Sequence, residues 1–207
     1  ILSGGPSSVY ESNAPQLDKN ILSYGLPILG ICYGLQLLVE NFGGKVESLG
    51  TGEYGPAQIK VHLKNKLLKD IEDNSKVWMS HGDRIEKIPN DWTITSQSEN
   101  QVISSVEYSD KDIFGVQFHP EVVHTIKGKK IIENFIFDIC HSVPDWNPEN
   151  FILDTINNIR DTVKDGKVMC ALSGGVDSTV VSTLMKRAIG DNAICVFIDH
   201  GLLRKNE

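Results

Sequence analysis

Apolar residues fall in short runs broken by glycine, and the clearest run, Ile28-Leu29-Gly30-Ile31, stops at Cys32. It reads as a buried strand, and Leu35-Gln36-Leu37-Leu38-Val39-Glu40 immediately after it reads as a helix. Upstream, Ile1-Leu2 ends a strand and Ser3-Gly4-Gly5-Pro6-Ser7-Ser8 is a glycine-rich turn at its C-terminal end. Asn13 and Pro15 signal a helix start, Leu17, Ile21 and Leu22 give that helix an apolar face, and Gly25-Leu26-Pro27 stops it. Between Lys45 and Gly115 the pattern shortens to strands separated by turns, at residues 58–63, 77–80, 93–96, 103–108 and 113–118. Residues 127–140 return to helical spacing, with Ile131, Ile132, Phe135, Ile136 and Ile139 on one side. This order predicts an α/β domain with a parallel sheet and an inserted or appended antiparallel region.

Ser142-Val143-Pro144-Asp145-Trp146-Asn147-Pro148 reads as a linker, dividing the chain into residues 1–141 and 142–207. Asn147 caps and Pro148 opens a helix whose Ile152, Ile156, Ile159 and Val163 recur at helical spacing. A strand at 167–172, a loop at 173–179, a helix at 180–189 and a strand at 193–198 then form a βαβ unit, the beginning of a second α/β domain. The chain opens on Ile1, inside a strand, and stops at Glu207 without a closing element, so a longer polypeptide is expected.

Composition narrows the function classes. With 207 residues, 40% hydrophobic and 23% charged, the chain is an ordinary globular sequence. A net charge of -7 argues against non-specific nucleic-acid binding as the main activity. The lysines at 127, 129 and 130 are explained by a solvated helix face. No apolar run approaches the roughly 18 residues of a membrane span, and no signal peptide is visible. Cys32, Cys140, Cys170 and Cys195 are widely spaced with no CxxC, as reduced cytoplasmic thiols would be.

Cys32 lies at a strand-to-helix junction with Gly30 and Gly34 two residues to either side, the nucleophile-elbow pattern with cysteine in the serine position. A sulfur held there sits at a helix N-terminus, where the dipole favours thiolate. A buried structural cysteine is the competing reading. A cysteine nucleophile needs a base and a group to orient it. In Phe118-His119-Pro120-Glu121, His119 and Glu121 are two apart and point the same way in an extended segment. The carboxylate can hold one ring nitrogen and leave the other for the thiol, although His119-Pro120 could equally just end a strand. His81 and His124 are competing bases, and no HExxH is present. An oxyanion needs backbone donors, for which the N–H groups of Gly5 and Tyr33 are the candidates; taken alone, the Gly4-Gly5 turn reads as an ordinary turn.

Glycine turn, cysteine elbow and His-Pro-Glu in that order resemble the class I glutamine amidotransferase domain, from Ile1 to about Cys140. That resemblance implies a mixed, mostly parallel sheet and glutamine as substrate. It implies Cys32 as the thioester-forming nucleophile, His119 as proton carrier and Glu121 as its orienter. Gln36 and Ser80, His81, Gly82 and Asp83 match positions that hold glutamine in the family.

The second domain carries Ser173-Gly174-Gly175-Val176-Asp177-Ser178-Thr179 between a strand and a helix. Two glycines let backbone N–H groups close on phosphate oxygens, and the hydroxyls and the helix dipole add to them. Asp177 is acidic where anions would sit, which makes sense if Mg²⁺ bridges it to pyrophosphate. No GxxxxGK[ST] is present, which disfavours a P-loop kinase or ATPase cycle. The stretch resembles the PP-loop of the N-type ATP pyrophosphatases, implying a partial Rossmann-like domain that binds Mg²⁺ with ATP and cleaves it to AMP and pyrophosphate. A triad-type glutaminase followed by this loop resembles the ligase family that aminates XMP to GMP. The segments 77–83, 115–122 and Phe197-Ile198-Asp199-His200-Gly201-Leu202-Leu203-Arg204 agree with it. The same resemblance implies a cytoplasmic homodimer whose dimer region and most of the XMP site lie beyond Glu207. Two rivals are another PP-loop ligase, such as a thiolation enzyme, and a non-catalytic sensor of glutamine or ATP.

Overall fold

In the computed structural model, strand β1 (Ile28–Ile31) is buried at all four positions, as its unbroken apolar run demands. It pairs in parallel with β6 (Ile113–Val116), from Ile28 opposite Ile113 to Ile31 opposite Val116. On its other side Leu2 bridges to Gly30, also in parallel. The N–H of Leu2 donates to the Leu29 carbonyl and that of Ile31 to the Leu2 carbonyl, both at 2.8 Å. Three neighbouring segments therefore run the same way and end at one edge. The residues that follow them are Ser3-Gly4-Gly5, Cys32 and Gln117-Phe118-His119. Crevices outside the carboxyl ends of parallel strands are where α/β sheets bind ligands.

Residues 1–199 and 201 are described, and they divide into two units, Ile1–Val143 and Pro144–Glu207. In the first unit the sheet continues from β6 through β5 (Ile103–Tyr108), β4 (Thr93–Ser98) and β2 (Lys45–Val61) to β3 (Ser75–Lys87). The sheet is mixed, as expected, but its balance differs from the expectation. Within this sheet, parallel pairing among the described residues is confined to β1/β6 and the Leu2 bridge, and the other four strand pairings are antiparallel. Short connections such as 99–102 and 109–112 can only reverse the chain, whereas a parallel neighbour needs a long crossover.

The hairpin of β2 and β3 is also longer than the pattern at 58–63 and 77–80 predicts. β2 runs for 17 residues and β3 for 13. Gly50, Gly52 and Gly55 make the first half of β2 read as turn. Gly50 and Gly52 fall in a register shift between Ser48 and Glu53, where the ladder is interrupted, and Gly55 is back in register opposite Met79.

Period-two alternation sends Ile28 to one face of the sheet and Leu29 and Ile31 to the other. Helix α2 (Tyr33–Asn41) covers the first face, where Leu35, Leu38 and Val39 pack with Ile28, Val106 and Ile113. Helix α3 (Gly128–Glu133) and the π-helical stretch that continues it (Asn134–Ile139) cover the second. There Ile131, Phe135 and Ile139 meet Leu29, Ile31 and Val116. Each of these buried aliphatic side chains contributes roughly 1.5–3 kcal/mol. The helix expected from Asn13 onward is corrected to a single turn, α1 (Asn20–Ser23), with no side-chain cap. Leu17, Ile21 and Leu22 nevertheless pack on the α2 side of the core, so their spacing reported burial rather than a long helix.

In the second unit, α4 (Pro148–Val163) starts with the Asn147 side chain accepting from the Asn150 N–H at 2.8 Å. Strands β7 (Val168–Leu172) and β8 (Ala193–Phe197) pair in parallel and are joined by α5 (Val176–Ile189), the expected βαβ unit. α5 begins four residues earlier than the sequence pattern suggested, so Val176–Thr179 is its first turn and not loop. In the stretch after β8, His200 and residues 202–204 lie outside the described residues. Among the described residues no helix is long and apolar enough to cross a membrane.

Candidate active site

Cys32 caps α2 with φ 50° and ψ -106°, a left-handed φ that costs a non-glycine residue on the order of 1–3 kcal/mol. Two backbone hydrogen bonds hold it there: its N–H donates to the Val116 carbonyl at 2.8 Å, and its carbonyl accepts from Gln36 at 3.1 Å. The flanking glycines allow the close packing that this turn needs. A Cβ on Gly34 would collide with the Leu2 carbonyl, and one on Gly30 would come within 2.7 Å of the Leu35 nitrogen. Gly4 has a separate reason to be glycine, since a Cβ there would lie 2.9 Å from Cε1 of His119.

His119 stands opposite the thiol, reached through the short extended segment after β6 and fixed by its N–H on the Trp78 carbonyl at 3.0 Å. Its Nδ1 meets Oε1 of Glu121 at 2.7 Å, the arrangement expected from the two-residue spacing. Its Nε2 is buried and has no hydrogen-bond acceptor or donor paired with it among the described residues, leaving that nitrogen for proton exchange with Cys32. The contact with Cys32, opposed by partial burial and assisted by the Glu121 carboxylate, pushes the His119 pKa up from 6.5 to about 9. A folded-state value above the unfolded one means that protonated His119 stabilises the fold below about pH 6.5. This contribution is lost as the pH rises through about 9. An NMR titration of the His119 ring should therefore show a midpoint near 9, moving back toward 6.5 in Cys32→Ala. An unmoved midpoint would show that the thiol is not the cause.

Gly5, Cys32, Gln36, Ser80, His81, Gly82, Asp83 and His119 line one cavity of about 570 Å³, together with Pro6, Ser7, Ser8 and Tyr54. Eight of the residues singled out in the first unit thus share one wall. Glu121 sits behind His119. The Tyr33 hydroxyl donates to the Pro15 carbonyl at 2.6 Å, away from the cavity. Its backbone N–H is among the first of α2, which a helix leaves without an internal acceptor.

The Ser80–Asp83 stretch has a different internal structure from the one its motif suggests. The Ser80 side chain is exposed, and it is its carbonyl that meets the sulfur, 3.7 Å from Sγ. His81 is buried with Nδ1 donating to the Asp83 carbonyl at 2.8 Å and Nε2 3.3 Å from Oε2 of Glu53, so neither ring nitrogen is free for a ligand. It is a poor competitor for the role of base. The Asp83 carboxylate accepts from the Tyr10 hydroxyl at 2.9 Å, and Asp83 is one of the cavity-lining residues, where an acidic side chain suits a cationic group. The sequence did not single out Tyr10, Glu53 or Tyr54, which come from distant segments without any motif. Gln117 lies in the 115–122 segment, where the sequence assigns it no role, although a polar residue directly after the apolar strand β6 is a signal that could have been followed.

In the second unit, residues 173–179 form the turn from β7 into α5. Ser173 Oγ and Ser178 Oγ are 3.1 Å apart, the Ser173 N–H donates to Ser178 Oγ at 3.2 Å, and the Thr179 hydroxyl donates to the Gly175 carbonyl at 3.0 Å. Asp177 is exposed in the first turn of the helix. Among the described residues no group of three or more His, Cys, Asp and Glu could hold a metal ion by itself.

Comparison with known proteins is consistent along the whole chain. Residues 1–139 match the family model of the glutamine amidotransferases, class I. Over all 207 residues the chain is 50% identical to the GMP synthase [glutamine-hydrolyzing] of Bacillus cytotoxicus, covering 40% of it. It is 48% identical to the enzyme of that description from Crocosphaera subtropica, covering 38%. The chain therefore spans about two fifths of the length of these curated relatives. Among solved structures, a protein from Thermoplasma acidophilum described as one component of a GMP synthase aligns with 32% identity and a TM-score of 0.57, over 59% of this chain and 61% of that one.

Proposed function

The chain belongs to the class I glutamine amidotransferase family, and on that premise we propose that it hydrolyses glutamine at Cys32 and supplies the ammonia for GMP synthesis. The observation that carries the first step is the buried Cys32 sulfur set between a strained elbow and a His119–Glu121 pair, on the wall of a cavity large enough for an amino acid. Glutamine would present its side-chain carbonyl to the sulfur and its α-ammonium to Asp83. Attack forms a tetrahedral intermediate whose oxyanion takes the N–H groups of Gly5 and Tyr33. His119, protonated after taking the thiol proton, gives that proton to the departing nitrogen, and ammonia leaves a γ-glutamyl thioester. Water then attacks the thioester with His119 as base, releasing glutamate and restoring the thiol.

For the second step the support is the identity of about one half with GMP synthases, which extends through residues 173–179. The reading is XMP + ATP + glutamine + water → GMP + AMP + pyrophosphate + glutamate. Unpaired N–H groups at the start of α5 and the hydroxyls of Ser173, Ser178 and Thr179 suit the pyrophosphate end of ATP. A lone exposed Asp177 suits a Mg²⁺ that arrives with ATP and completes its coordination with phosphate oxygens and water. Transfer of AMP to XMP creates a leaving group that ammonia displaces. A cytoplasmic homodimer is part of the same reading, supported by the family resemblance.

The test is whether the protein at its natural length releases AMP and pyrophosphate from ATP only when XMP is present. XMP-dependent release is expected. Release that ignores XMP and follows another acceptor would move the chain to a different PP-loop ligase.

A further inference from the structure

Gln117 has no task in the steps above, yet it is fully buried and its amide ends on the reactive sulfur. Its Nε2 lies 3.6 Å from Sγ of Cys32, and its Oε1 lies 3.2 Å from Nε2 of Gln36. The direction of this relay follows from donor and acceptor logic, starting at a group that can only accept. The Asp83 carbonyl is such a group, and the Gln36 amide approaches it at 3.1 Å, so the atom facing it must be the nitrogen. The second hydrogen of that nitrogen points at Gln117, whose facing atom must then be its oxygen. That leaves the Gln117 nitrogen, a donor, directed at the sulfur.

We propose that Gln117 is a catalytic residue that donates an N–H to Cys32 Sγ and favours its thiolate, with Gln36 as the positioning residue that fixes the orientation of the Gln117 amide. The proposal rests on Cys32 being the nucleophile. Two contacts on the sulfur pull in opposite directions. The Ser80 carbonyl, 3.7 Å away, accepts only from the protonated thiol. The Gln117 N–H strengthens when the sulfur carries charge, because hydrogen bonds to ionised acceptors are about twice as strong as neutral ones. The donor therefore acts twice: when the thiol gives up its proton to His119, and when hydrolysis of the thioester returns the sulfur as thiolate. Packing alone gives no reason for an amide here. Burying one costs free energy unless it is hydrogen-bonded, and methionine would fill similar space without that cost.

The experiment compares the rate at which iodoacetamide alkylates Cys32 in the wild-type protein and in Gln117→Met, across roughly pH 5 to 10, by peptide mass spectrometry. At neutral pH the variant should react about tenfold more slowly, the factor that one hydrogen bond to a charged acceptor represents. Its profile should move to higher pH, and glutaminase kcat should fall while KM for glutamine stays the same. Superimposable profiles for two folded proteins would overturn the role of Gln117 and leave the nucleophile intact. A wild-type Cys32 no more reactive than the exposed Cys195 would overturn the nucleophile and the proposal with it. Should Gln117→Met fail to fold, Gln117→Leu carries the same test, since it has no N–H for the sulfur and brings no charge beside it. An unmoved profile would again overturn the proposal.

Discussion

Cys32→Ala, in the protein at its natural length, is expected to lower glutamine-dependent formation of GMP by roughly 10⁴-fold or more while leaving the rate with added ammonium within about twofold. The size of the loss follows from covalent catalysis: without the sulfur no thioester forms, and the remaining parts can only orient water and glutamine. Selectivity follows from the separation of tasks. Ammonium supplied from solution provides the nucleophile directly, so a protein that keeps its ATP and XMP sites keeps that reaction. The substitution removes little from the core, since Cys32 is small and its backbone bonds to Val116 and Gln36 do not involve the sulfur. Alanine at φ 50° carries the same backbone strain that the cysteine already bears. Steady-state rates with each nitrogen source check the expectation, and equal loss of both activities would show that the two chemistries are not separable.

Asp177→Ala is expected to do the reverse. Cleavage of ATP to AMP and pyrophosphate should fall roughly 10²- to 10³-fold, the range seen when one electrostatic contact to a developing charge is removed. Basal hydrolysis of glutamine should stay within about twofold. Asp177 is exposed at the start of α5, so its loss disturbs no core contact, and the helix keeps its first turn through the Thr179 bonds to the Gly175 carbonyl. Radiolabelled ATP resolved into AMP and pyrophosphate reads the first activity, and glutamate release reads the second. ATP cleavage at the wild-type rate would remove Asp177 from the nucleotide site.

The candidate site was legible where its chemistry is written in neighbouring residues. Gly30-Ile31-Cys32-Tyr33-Gly34 announces its turn because the steric need for glycine falls within two positions of the nucleophile. His119 and Glu121 meet because two residues of extended chain place them on one side. Contacts between distant segments left no such trace. The Ser80 carbonyl reaches Cys32 from β3, 48 positions away in the chain, and Gln117 reaches it through the parallel register of β1 and β6. Neither depends on residue spacing. The histidine in the Ser80–Asp83 motif read as a ligand-binding group, but both its ring nitrogens are held by Glu53 and Asp83. The first half of β2 was hidden by Gly50 and Gly52, which sit in the register shift between Ser48 and Glu53, and by Gly55, which pairs with Met79 despite its turn-forming tendency. In the second unit the βαβ order was legible from periodicity, and the start of α5 was misjudged because three of its first four residues, Asp177, Ser178 and Thr179, are polar.

The central claim is that Cys32 is the nucleophile for a glutamine side chain. A glutamine analogue bearing a diazoketone in place of the side-chain amide tests it most directly. After incubation, intact-mass analysis and peptide mapping should find a single adduct, on the peptide that contains Cys32. It should be suppressed by excess glutamine and absent from Cys32→Ala. An adduct on Cys140, Cys170 or Cys195 instead, or no adduct at all, would contradict the account.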